Sequence, residues 1–132
     1  MIGIIGGRGH MGAHFAAFFS SHGIKVLISD LAELNGKSTA GNSASGELTK
    51  RGYSAKLPPS SKNLTNIQLA RQSDIVIISV PIDQTQKVIR QILPHVLPDA
   101  AIMDFTSIKE MPVKAMLKGE CEVLGMHPMF SD

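Results

Sequence analysis

Near the amino terminus, Gly7-Arg8-Gly9-His10-Met11-Gly12 follows a short apolar run, Ile2 to Ile5, and leads into a segment with a helical apolar face. Each glycine of this turn has a physical task. The first permits a tight strand-to-helix turn, the second lets backbone approach a pyrophosphate, and the third lets helix and strand pack closely. The helix start behind them offers free N–H groups and a partial positive charge to phosphates, and Gly6 adds freedom at the strand exit. Arg8 either touches a phosphate or faces solvent, His10 reads as a loop residue beside the ligand, and Met11, where the helix begins, belongs to the same cofactor-binding set. Asp30 closes the next apolar run, Lys25 to Ser29, where a carboxylate can accept hydrogen bonds from ribose hydroxyls and repel a 2′-phosphate. Leu31, not Arg or Lys, follows it. The combination points to a dinucleotide site that favours NAD over NADP. A bare glycine turn beside a solvated Asp is the competing reading.

A second set of groups lies farther along. Ser79, Val80 and Pro81 end a β-branched run, Ser107 and Lys109 follow another apolar run, and His127 follows a third. Doubly wound sheets bind ligands at the carboxyl ends of their strands, so these runs deliver a hydroxyl, an ammonium and an imidazole to one rim. Pro81 has no N–H and forces a turn. An imidazole with an unperturbed pKa of about 6.5 suits proton transfer near neutral pH. Taken alone, a histidine beside a proline is usually structural, and a lysine after a strand is more often solvated than functional. His14 and His22 fall on the first helix and His95 in a Pro-flanked turn, with no metal-ligand spacing.

The elements that must position these groups are legible for most of the chain. The pattern predicts a helix over Met11–His22 closed by Gly23, and a strand over Lys25–Ser29. After a Ser/Gly-rich stretch, residues 31–61, with a short helix at 45–51 and a weak strand at 53–55, it predicts a helix over Asn66–Gln72. A strand over Ile75–Val80, terminated by Pro81, precedes a helix over Gln84–Leu93. Strand Ala101–Asp104, helix Met111–Leu117 and strand Cys121–Leu124 complete the series. Alternating strands and helices predict a single α/β domain over residues 1–132, a doubly wound parallel sheet of Rossmann type.

Composition narrows the function. With 43% hydrophobic residues, 18% charged residues and a net charge of +2, the chain looks like an ordinary globular domain and not a nucleic-acid binder. One cysteine, Cys121, excludes a disulfide framework within the chain and fits a cytoplasmic setting. Neither a signal peptide nor a membrane-spanning run is visible, so no membrane partner is expected.

Three segments, Asp74-Ile75-Val76-Ile77-Ile78-Ser79-Val80-Pro81-Ile82, Asp104-Phe105-Thr106-Ser107-Ile108-Lys109 and Gly125-Met126-His127-Pro128-Met129-Phe130, stand in that order behind the glycine loop. In this arrangement the chain resembles the prephenate and arogenate dehydrogenases. The resemblance implies NAD as cofactor and prephenate or arogenate as substrate, oxidised and decarboxylated to 4-hydroxyphenylpyruvate or tyrosine. It further implies that His127 accepts the hydroxyl proton and that Ser107 lies near that histidine and orients it. Family members carry a second, mostly helical domain with an arginine for the substrate carboxylate; these 132 residues lack it, and Ser131 stands where the family commonly has Gly. The expectation is therefore NAD binding with weak or no turnover from this chain alone, unless a homodimer or a separate substrate domain completes the site. Imine or β-hydroxyacid dehydrogenases, and an NAD-binding sensor or regulatory module without catalysis, are the alternatives.

Overall fold

The computed structural model describes residues 1–30 and 64–129. The helix and strand expected at 45–51 and 53–55 lie outside them. The described elements are β1 (Ile2–Ile5), α1 (His10–Ser21), β2 (Val26–Ser29), α2 (Asn66–Gln72), β3 (Ile75–Ile78), α3 (Ile82–Ile92) with a 3₁₀ turn (Leu93–His95), β4 (Ala101–Asp104), α4 (Glu110–Met116) and β5 (Glu122–Gly125). The strands form one sheet in the order β2-β1-β3-β4-β5, every pair parallel. This is the doubly wound Rossmann-type arrangement that the sequence predicts.

Strand alternation sorts side chains to two faces. Ile2, Ile4, Val26, Ile28 and Ile77 point towards α1, where Ala16, Phe15 and Phe19 meet them. Ile5, Leu27, Val76, Ile78 and Ile102 point the other way, into a larger core with Leu69 of α2, Val88, Ile89 and Ile92 of α3, and Met116 of α4. β1, β2 and β3 are buried on both faces, which explains why they read as continuous apolar runs instead of alternating ones. On β1, a Cβ at Gly3 would lie 2.2 Å from Ser73 Oγ and 2.4 Å from Leu69 Cδ2, so α2 packs directly on β1 backbone.

The bounds of β3 and α3 are corrected, and so is His10, which by sequence is a loop residue but is the first residue of α1. β3 ends at Ile78, not Val80, because its neighbours stop there: Ile5 and Asp104 are its last partners, and β1 turns away at Gly6. Pro81 consequently does not end the strand but stands as the N-cap position of α3, which starts two residues ahead of the expected Gln84. At α1, Gly9 is the N-cap and His22 the C-cap, followed by Gly23 at φ 75° as a left-handed terminator.

Candidate active site

One row of residues crosses the whole sheet at its carboxyl edge. Ser29 pairs with Ile5, Ile5 with Ile78, Ile78 with Asp104, and Asp104 with Gly125. Every candidate from the sequence lies just beyond this row, on one rim. Gly7–Gly12 follow β1, Asp30 follows β2, and Ser79–Pro81 follow β3. Ser107 and Lys109 follow β4, and His127 follows β5. β1 and β3 are neighbours whose connections leave in opposite directions, so the glycine loop and Ser79 face each other across the split.

The glycine loop is tighter than its fingerprint implies. The left-handed residue is Gly6 at φ 81°, not the fingerprint's first glycine. The N–H groups of Gly6 and Gly7 both donate to Ser29 O, at 2.9 and 3.3 Å, which forces the turn one residue early. A Cβ on Gly6 would sit 2.1 Å from Ser79 O, and one on Gly7 would sit 2.4 Å from Ile28 Cγ2. Gly12 is closed in the same way, 2.3 Å from Gly6 O, so helix and loop touch backbone to backbone. Gly9 differs: a Cβ there would meet only Gly6 O, at 3.2 Å, and the residue is exposed. Above it the first turn of α1 has no side-chain cap, leaving its N–H groups directed at the rim. Arg8 and His10 are exposed, Met11 and Asp30 half-buried. Across the split Ser79 is half-buried, Val80 buried and Pro81 exposed, and Ser79 N–H donates to Ile5 O at 2.9 Å.

Ser107 and His127 are exposed at the β4–β5 end of the rim, and no hydrogen bond joins them among the described residues. Lys109 is not the solvated lysine that its type suggests. Its Nζ lies 2.6 Å from Oδ2 of Asp104, a residue with 0% exposure. The same oxygen accepts from Thr106 N–H at 3.1 Å and from the Thr106 hydroxyl, while Oδ1 is buried and finds no partner among the described residues. Asp104 O accepts from Met126 N–H at 3.0 Å, so one residue ties the Ser107 turn to the start of the His127 segment. Sequence reasoning placed Asp104 as a strand end and missed this clamp; an acid closing the apolar run Ala101–Met103 was its only signal.

Beside the rim, Ile82, Asp83, Thr85, Gln86, Ile108, Met111 and Pro112 enclose a recess of about 260 Å³ between the starts of α3 and α4. Ile82, Ile108 and Met111 are more than half exposed there. A larger cleft, about 730 Å³, lies at the opposite edge of the sheet and is lined by Arg71, Arg90, His95 and Lys118 among others. Arg71 and Arg90 occupy the last turns of α2 and α3, where cations offset the carbonyl charge of helix ends. No group of three potential metal ligands occurs among the described residues, and no described helix is long and apolar enough to cross a membrane.

Comparison with known proteins agrees with this arrangement. The family model described as prephenate dehydrogenase, nucleotide-binding domain, matches residues 33–132. A probable arogenate/prephenate dehydrogenase of Methanocaldococcus jannaschii is 36% identical over 132 residues, covering 98% of this chain and 26% of that protein. The chain thus spans about a quarter or less of the curated relatives it matches. Prephenate dehydrogenase from A. aeolicus, solved with hydroxyphenyl propionate and NAD+, superposes with a TM-score of 0.61 at 19% identity, over 97% of this chain and 41% of that one. A ketopantoate reductase from Ralstonia eutropha reaches 0.68 at 16% identity, over 95% and 40%, so the fold alone is common to several reductases. The family model, matched over residues 33–132, goes beyond the fold: the chain belongs to the prephenate dehydrogenase family, as its nucleotide-binding domain.

Proposed function

We propose that residues 1–132 form the NAD-binding domain of a dehydrogenase acting on prephenate or arogenate. The observation that carries the reading is the single rim row. It brings an uncapped helix start, an exposed glycine at position 9 and an acid after β2 to one end, and Ser107 and His127 to the other. The residues fit a dinucleotide. Gly9 offers backbone without a Cβ where a pyrophosphate would approach, with Arg8, His10, Met11 and the N–H groups of the first turn around it. Asp30 accepts from the ribose hydroxyls and disfavours a 2′-phosphate. Ser79, Val80 and Pro81 form the floor across the split.

NAD, when bound, supplies the hydride acceptor. The chain's own task is to hold the substrate's hydroxyl-bearing carbon near that acceptor and to take the hydroxyl proton. His127 is the proton acceptor, its imidazole exposed at the rim where substrate arrives; Ser107, at the same end of the rim but not hydrogen-bonded to it among the described residues, is assigned to orient it once substrate lies between them. Lys109 is committed to Asp104, so it is a poor partner for the two carboxylates of prephenate. Strong substrate binding therefore needs residues besides those on this rim, from a substrate domain or a second subunit, and this chain alone turns over weakly or not at all.

Titration calorimetry with NAD, with NADP, and with prephenate added to the NAD-saturated chain tests the reading. NAD is expected to bind, NADP to bind at least about tenfold more weakly, a gap of 1.4 kcal/mol, and prephenate to give little signal. Absence of dinucleotide binding would overturn the proposal.

A further inference from the structure

Beneath the glycine loop runs a buried polar chain that the rim chemistry does not use. Ser29 Oγ donates to Asn66 Oδ1 at 2.7 Å, and Asn66 Nδ2 donates to Gln91 Oε1 at 3.2 Å. Both Ser29 and Asn66 are 3% exposed, in surroundings where an unpaired polar group is costly. The chain joins three elements: the last residue of β2, the first of α2, and α3.

Ser29 has a second part in this region. Its carbonyl oxygen receives the N–H groups of both Gly6 and Gly7, and Asp30 is the next residue. The residue whose carbonyl shapes the Gly6–Gly7 turn, and which the acid directly follows, is therefore the one whose side chain Asn66 holds. We propose that Asn66 is a positioning residue for the dinucleotide site, fixing Ser29 and through it the Gly6–Gly7 turn and Asp30. This rests on the reading of the rim as an NAD site.

A helix-capping residue gives the control. Thr65 caps α2, accepting Gln68 N–H at 3.1 Å while its own N–H donates to Gln68 Oε1 at 3.0 Å. Thr65→Ala weakens the same helix without touching Ser29. Calorimetry on folded protein, with NAD as titrant, should show Asn66→Ala and Ser29→Ala each weakening binding about three- to tenfold, the span of one net hydrogen bond. The double variant should bind little worse than either single one, since both cut the same link. Thr65→Ala should lower the melting temperature but keep wild-type affinity. Wild-type affinity in folded Asn66→Ala, or an equal loss in Thr65→Ala, overturns the inference. Should Asn66→Ala not fold, Ser29→Ala removes only a hydroxyl and carries the same test. If the wild-type chain binds no NAD, the proposed function fails first, and that outcome is distinct from a wild type that binds while the variants match it.

Discussion

Lys109 Nζ stands 2.6 Å from Asp104 Oδ2 and 3.3 Å from Asp104 O, so one ammonium group meets both the side chain and the backbone of the last residue of β4. The carboxylate is wholly buried, whereas the lysine side chain is 31% exposed. Removing the cation strands a charge in the core, which costs more than the ion pair itself contributes. Lys109→Met is expected to lower stability by about 2 kcal/mol, the partial exposure of the lysine holding it below a fully buried pair. Adding Asp104→Asn should return part of that loss by removing the stranded charge. Urea midpoints of the two variants check this, and a double variant less stable than Lys109→Met contradicts it.

Gly6 and Gly9 should fail in different ways. Gly6 is left-handed and a Cβ there meets Ser79 backbone at 2.1 Å, so Gly6→Ala is expected to cost at least about 2 kcal/mol. Gly9→Ala brings a Cβ to 3.2 Å from Gly6 O, a tight contact at an N-cap where Gly is favoured over Ala, and should cost about 1 kcal/mol. It should nonetheless weaken NAD binding by about tenfold or more, since it fills the approach to the pyrophosphate. Thermal melts and calorimetry separate the two.

His127→Asn should leave both melting temperature and NAD affinity unchanged. The side chain is exposed, and exposed substitutions usually fall within about 0.5 kcal/mol. Prephenate-dependent reduction of NAD, followed at 340 nm in the enzyme with its substrate-binding part present, should fall at least about a hundredfold. Unchanged turnover would remove His127 from the mechanism.

Burial pushes the Cys121 thiol above its ordinary 9.0, with the Glu122 charge acting in the same direction and a backbone hydrogen bond opposing both. Thiolate is the reactive form, so the pH profile of iodoacetamide alkylation should have its midpoint above 9.0. The unfolded chain loses this proton first as pH rises, so the thiol opposes folding above 9.0 and is neutral towards it below. A midpoint below that of a free thiol would contradict the assignment.

Some of this was open to sequence reasoning for definite physical reasons. β1 and β4 have the expected bounds because each is an apolar run ended by a residue that cannot continue it, a glycine in one case and a carboxylate in the other. α2 has the expected bounds because Thr65 and Gln68 form a capping box. Which glycine takes the left-handed turn was not legible, since Gly6 and Gly7 are chemically alike and Ser29 O, distant in sequence, decides between them. The Lys109–Asp104 clamp depends on the path of the β4–α4 turn, and the Ser29–Asn66 bond spans 37 residues with no periodic signal. Residue type revealed what the rim could do; pairing across the sheet determined what holds it.

The strand order also has a kinetic consequence. β1 pairs with β3 in a register that sets Ile2 against Ile75, and every strand contact in the sheet is parallel. The split between the glycine loop and Ser79 thus comes into being only when segments more than seventy residues apart have met. Loop-closure entropy makes such pairings slow. A ligand straddling the split can bind only after that encounter, so it acts as a latch on the most sequence-distant contact of the sheet, slowing global unfolding more than it hastens folding.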